Sequence, residues 1–175
     1  MRIVKYVKRY KTPEGFSDML MSSDGEYLTG LWFIGSRDER KHDGDREEKD
    51  LPVFEETVRW LDMYYQGVVP DFTPKYRIEG ATEFRKLVID MMLAIPYGET
   101  VTYGDIANAV AEKRGVSKMS AQAIGGAVGW NPICIIIPCH RVMGANGALT
   151  GYGGGIDNKV ALLELEQGRK RIYVL

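Results

Sequence analysis

Two spacings of apolar residues divide the chain. In the first half they come as short β-prone runs at residues 3–10, 19–21 and 27–33. The last two are separated by Ser22, Ser23, Asp24 and Gly25, whose turn chemistry predicts a hairpin. After Pro52 the period changes, with Val58, Leu61 and Tyr65 following Phe54 at helical spacing, so a helix is expected there. Residues 67–74 are rich in Gly and Pro and read as a linker. In the second half helical spacing dominates: Phe84, Leu87, Val88, Met91, Met92 and Ile95 form one stripe, opened by Thr82 as a cap and stopped by Pro96. Thr102, Tyr103, Gly104 and Asp105 resemble a capping box that opens a second helix over 103–112. A third, capped by Ser117 or Ser120, runs to Val128, and the pair has the pattern of a helix-turn-helix. Residues 132–138, apolar between two prolines, read as a buried strand, and residues 157–167 as an amphipathic C-terminal helix.

This order of elements predicts an α+β protein: a small N-terminal domain of sheet and helix, residues 1–78, and a C-terminal helical domain, residues 79–175. A chain of 175 residues with 45% hydrophobic and 27% charged positions buries a real core, and this composition excludes collagen-like, disordered and disulfide-framework classes. No apolar run approaches a membrane span and the first ten residues are too charged for a signal-peptide core, so a cytoplasmic or nucleoid-associated protein without a membrane partner is expected. The net charge of −1 excludes nucleic-acid binding by bulk electrostatics and leaves only a local patch. Through residue 79 there are 13 basic and 16 acidic residues, and after it 10 and 8, which suits two halves with different tasks. The charged stretch 37–50 reads as a solvated loop or linker.

Cys134 and Cys139 with His42 and His140 are too few and too poorly spaced for a zinc cage, so no metal is expected. The apolar run 132–138 delivers Cys139, His140 and Arg141 to one place, a costly location for polar groups that lack partners. A thiol becomes a strong nucleophile only where a base or positive surroundings favour the thiolate, and His140 is the nearby base. On an extended strand neighbouring side chains point to opposite faces, so a Cys139–His140 relay requires a turn or a bridging water. Glu164 and Glu166 are both available to orient the imidazole. Inert packing is the competing role for Cys139 and the expected one for Cys134. The third helix is nearly without bulk at Ala121, Ala123, Gly125, Gly126 and Ala127. Two glycines cost a helix about 1 kcal/mol each, a cost met either by close packing on its own core or by approach to a large flat partner.

Pro138-Cys139-His140-Arg141-Val142 closely resembles the active-site motif of the O6-alkylguanine-DNA alkyltransferases, the methylated-DNA–protein-cysteine methyltransferases. The resemblance runs through Pro96-Tyr-Gly-Glu-Thr-Val-Thr-Tyr103, Ala123-Ile-Gly-Gly-Ala-Val128, Asn131-Pro132, Leu149-Thr-Gly-Tyr152 and the segment from Lys159 to Glu166, covering the second half in order. Ser23-Asp24-Gly25 and Leu28-Thr-Gly-Leu-Trp-Phe33 extend it to the first half. The resemblance implies a winged helix-turn-helix-like DNA-binding motif and direct-reversal DNA repair, in which Cys139 takes the alkyl group of O6-alkylguanine irreversibly, once per molecule. O4-methylthymine is a further candidate substrate. It also implies that His140 acts on Cys139 through a water, that Glu166 orients His140, that Asn131 bridges the helices to the acceptor segment, and that Tyr103 assists the leaving base. Ile137, Pro138, Tyr152 and Gly153 then line the alkylguanine pocket, and Tyr103, Ala121, Gln122, Ala123, Gly125, Gly126 and Arg141 meet double-stranded DNA from its minor groove. An O6-alkyl group inside a stacked duplex is out of reach of a buried thiol, so base flipping follows. The chain is expected to act as a monomer without cofactor.

Two positions depart from the family pattern. Gln122 stands where many relatives carry an arginine, and Gly153 where serine is frequent. A non-catalytic protein that binds alkylated DNA and flags it is the principal alternative; a helix-turn-helix regulator leaves the Pro-Cys-His-Arg context unexplained, and a thiol hydrolase would require turnover.

Overall fold

The computed structural model describes residues 4–168. Three strands, β1 (Lys5–Tyr10), β2 (Met19–Ser23) and β3 (Leu28–Phe33), form an antiparallel meander. The hairpin between β2 and β3 turns where predicted: Asp24 Oδ1 accepts from the backbone of Glu26 and Tyr27, and Gly25 takes the positive φ of 112° that the turn requires. Ile3, the first residue of the expected strand, lies outside the described residues.

The charged stretch 37–50 is more than a solvated loop. It forms a 3-10 turn (Arg37–His42) and a short strand β4 (Arg46–Glu48), which adds in parallel to β1 and completes the order β3-β2-β1-β4. Its charges are mostly exposed, as patterning predicts, but Asp38 and His42 are buried. The linker expected around 67–74 follows helix α1 (Pro52–Tyr65), whose first residue is the proline that favours a helix start.

In the second half α2 (Glu83–Leu93) is capped by the Thr82 side chain. Strand β5 (Val101–Thr102) leads into α3 (Tyr103–Arg114), whose capping box between Thr102 and Asp105 is complete. Ser120, not Ser117, caps α4 (Ala121–Gly129), and α2, α3 and α4 pack against one another. Strand β6 (Val142–Met143) pairs in parallel with β5, and α5 (Ile156–Gln167) closes the described chain. One hydrophobic cluster runs from Met19, Leu31 and Phe54 to Val88, Ile124, Ile137 and Leu162, so residues of both halves share a core. Among the described residues no helix is long and apolar enough to cross a membrane.

Segment 132–138 departs from the expected strand. Ile133 makes an isolated bridge to Leu31, and the chain then turns on itself through Ile136 N–H to Cys134 O (2.8 Å), Ile137 N–H to Ile133 O (3.2 Å) and Cys139 N–H to Ile137 O (2.8 Å). Ile135 sits at φ 70°, a costly conformation for a β-branched residue that persists only where its surroundings enforce it. Asn131 supplies that enforcement, accepting from Ile133 N–H (3.0 Å) and donating to Ile137 O (2.8 Å).

Candidate active site

The turn held by Asn131 ends in a 3-10 turn (Cys139–Arg141), which removes the strand-parity obstacle and buries Cys139, His140 and Arg141 together. Glu166 of α5 lies beneath them. Its Oε2 meets His140 Nε2 at 2.5 Å and the Tyr64 hydroxyl at 2.6 Å, and accepts from an Arg141 terminal nitrogen at 3.0 Å. Its Oε1 accepts from Arg141 Nε (2.7 Å) and from Gly98 N–H (3.3 Å). Burial opposes ionisation of this carboxyl, but the hydrogen bonds and charges of His140 and Arg141 outweigh it and hold Glu166 far below the usual carboxylate range. Burial in turn lowers the His140 pKa despite the neighbouring carboxylate. A neutral imidazole donating Nε2–H to Glu166 keeps its lone pair on Nδ1, which has no hydrogen-bond partner among the described residues. That lone pair is free to accept a proton.

Cys139 lies 4.0 Å from the Tyr152 hydroxyl and beside Cys134. Its thiol is lowered to about 7, chiefly by the adjoining Cys134 side chain; burial opposes this and the Asn131 side chain adds to it. This direction favours the thiolate, the nucleophilic form. The same contact, with burial, pushes Cys134 well above the ordinary thiol value, so the two sulfurs are inequivalent. Lys159, buried with its ammonium on Val142 O (2.7 Å), is lowered by desolvation to about 8.

Cys139 opens into a small cavity of about 100 Å³ lined by Tyr103, Tyr152, Gly153, Asp38 and Lys41 among others. A groove of about 590 Å³ between α4 and the segment near 145–151 adjoins it, the two sharing Tyr103, Gly125 and Gly151. Ala121 and Gln122 line the groove, and Ala123 and Gly126 are exposed on the same helix. A Cβ built at Gly125, Gly126 or Gly129 would meet nothing within 4 Å. The protein's own packing therefore does not require the missing side chains at these glycines, whereas Ala127 of the same helix is buried in the core.

Ile137 and Pro138 are in the turn behind the thiol. Arg141 is a correction. Expected against DNA, it is only 9% exposed, and its guanidinium faces inward, where all three of its nitrogens donate to Glu166 or, at 2.8 Å, to Ile95 O. Between the two open candidates for orienting His140, the structure places Glu166, not Glu164, on the imidazole.

Residues 83–168 match the family model described as 6-O-methylguanine DNA methyltransferase, DNA binding domain. A methylated-DNA–protein-cysteine methyltransferase of Methanosarcina acetivorans is 40% identical over 162 residues, covering 92% of this chain and 97% of that protein. The chain belongs to the methylated-DNA–protein-cysteine methyltransferase family. A Mycobacterium tuberculosis relative of the same description is 40% identical over 153 residues, covering 86% of this chain and 87% of its own length. The crystal structure of Mycobacterium tuberculosis OGT in complex with DNA superposes with a TM-score of 0.78 at 38% identity, covering 94% of each chain.

For a methyltransferase of this family three participants were not visible in the sequence, and all come from the first half: Asp38, Lys41 and Tyr64. Asp38 pairs with Lys41 (2.7 Å), accepts from the Cys134 thiol (3.3 Å) and donates its backbone N–H to Gly153 O (3.1 Å); Lys41 also donates to Asn131 O (3.0 Å). A Cβ at Gly153 would overlap the Asp38 carboxylate, which explains why serine is absent here. Gly153→Ser is expected to cost about 1–3 kcal/mol through overpacking. The cost should shrink in an Asp38→Ala background; urea denaturation of the four proteins measures the coupling, and an undiminished cost would contradict the steric account.

Proposed function

We propose that this protein repairs O6-alkylguanine in double-stranded DNA by taking the alkyl group onto Cys139, once per molecule. The observation that carries this reading is the Cys139 thiol at the wall of a cavity, in one turn with a His140 whose Nε2 is fixed on Glu166. His140 Nδ1, acting through a water, removes the thiol proton; Cys139 sulfur attacks the alkyl carbon in line with O6, the S–C bond forms as the C–O6 bond breaks, and the electron pair leaves on guanine. Tyr103, at the mouth shared by cavity and groove, is placed to protonate or hydrogen-bond the departing base. Tyr152 and Gly153, which line the cavity, hold the base and its alkyl group, with Ile137 and Pro138 backing the thiol in its turn. The thioether has no route to hydrolysis in this site, so the acceptor is spent.

In this reading α3 and α4 act as the helix-turn-helix of a C-terminal domain that begins at residue 79. α4 lies in the minor groove through Ala121, Gln122, Ala123, Gly125 and Gly126, and the target nucleotide flips into the Cys139 cavity. Residues 1–78 support that domain, and the protein acts as a monomer. Gln122 can hydrogen-bond an orphaned base but adds no charge. Gln122→Arg is therefore expected to tighten DNA binding and to steepen its salt dependence by about 0.9 in log–log slope, one released counterion. Fluorescence anisotropy across a salt series checks this, and equal slopes would contradict it.

The repair reading is tested by repeated doses of an oligonucleotide containing O6-methylguanine. Transfer should stop at one methyl per protein; continued consumption would indicate a hydrolase, and binding without transfer a damage-flagging protein.

A further inference from the structure

Glu166 receives donors from three directions: His140 and Arg141 from the acceptor turn, the Gly98 backbone, and the Tyr64 hydroxyl from α1, 102 residues away in sequence. Tyr64 and His140 address the same oxygen, at 2.6 and 2.5 Å. Both side chains are essentially inaccessible, and the Tyr64 ring is already packed by Trp60, stacked at 5.4 Å, and by Tyr65 and Tyr97 edge-on at 5.5 and 6.0 Å. A phenylalanine would fill that ring site equally well, so packing does not account for the hydroxyl. We propose that Tyr64 is a positioning residue of the His140–Glu166 relay, through which the N-terminal half tunes the base that acts on Cys139. This rests on the proposed alkyl-transfer chemistry.

The physical argument is a competition for charge on one carboxylate oxygen. Each donor on Oε2 withdraws electron density, so the hydroxyl of Tyr64 weakens the pull of Glu166 on the imidazole Nε2–H. The imidazole is then less basic and stays neutral at physiological pH, with the Nδ1 lone pair available. Removing the hydroxyl leaves a more basic carboxylate, which better stabilises an imidazolium and blocks the base in its protonated form. The other groups around the relay are Arg141 and Cys139 on the acceptor turn, Tyr97 from the 96–98 segment and Lys159 from α5. None of them changes in a Tyr64→Phe protein.

The experiment is the rate of methyl transfer from an O6-methylguanine oligonucleotide, measured from acid to alkaline pH for wild type and Tyr64→Phe and normalised to titrated active acceptor. The acid limb of the variant should move upward by about half to one pH unit, with the alkaline plateau held within about twofold. A rate lowered by the same factor at every pH, or an unchanged profile, would overturn the proposal. The His140 imidazole is also titrated by NMR in both proteins without DNA. A higher His140 pKa in the variant supports the tuning role, and an unshifted one refutes it. This second readout needs no methyl transfer, so wild-type protein that accepts no methyl would sink the repair reading without deciding the role of Tyr64.

Discussion

Glu166→Ala should lose about 3–5 kcal/mol of stability, because it strands a buried guanidinium and removes the partner of three other hydrogen-bonding groups, on Tyr64, Gly98 and His140. Against the 5–15 kcal/mol typical of a domain, that loss is enough to unfold a large share of the protein on modest warming. Glu166→Gln keeps the shape and part of the hydrogen bonding and should lose less. The effect has a pH signature. The folded-state pKa of Glu166 is depressed, so its contribution is complete above the ordinary glutamate value of about 4.3 and is lost as pH falls below it. Urea denaturation at neutral and acid pH should show the gap between wild type and Glu166→Gln narrowing towards strong acid; a gap that widens there would contradict the account. Alkyl transfer should also drop in the folded fraction of both variants, because His140 loses its orienting anion.

Cys139→Ser should reduce alkyl transfer to background while leaving DNA binding within a fewfold of wild type. A serine hydroxyl stays protonated throughout the range in which the Cys139 thiol ionises, so His140 alone cannot make it an adequate nucleophile. The second thiol cannot take over: Cys134 is fully buried, raised well above the usual range, and donates to Asp38. The comparison of binding with transfer separates chemistry from recognition. Methyl recovered on Cys134 in the variant would show that the inequivalence of the two sulfurs was misjudged.

The parts of this fold legible in the sequence are those determined by neighbours in sequence. Thr82, the Thr102–Asp105 pair and Ser120 act within four residues of themselves, and each stands at the start of the helix it predicts. The 132–138 segment misled because an unbroken apolar run signals burial, which a strand and a buried turn share. What distinguishes them is the Asn131 side chain bonding both limbs of the turn, a contact without a periodicity. The charged stretch 37–50 looked like surface because its composition is that of surface, yet Asp38 is buried against a thiol 96 residues away. Tyr64 lies outside the apolar spacing of Phe54, Val58, Leu61 and Tyr65 on α1, and only the folded chain shows where its hydroxyl goes. Arg141 illustrates the reverse error, a cation assigned to DNA by its company whose partner is a carboxylate 25 residues on.

The most direct test of the central claim is peptide mass spectrometry after mixing the protein with an oligonucleotide containing O6-methylguanine. The account predicts one added methyl, located on the peptide that carries Cys139 and saturating at one per molecule. An unmodified Cys139 peptide from protein that demonstrably binds the oligonucleotide would contradict it.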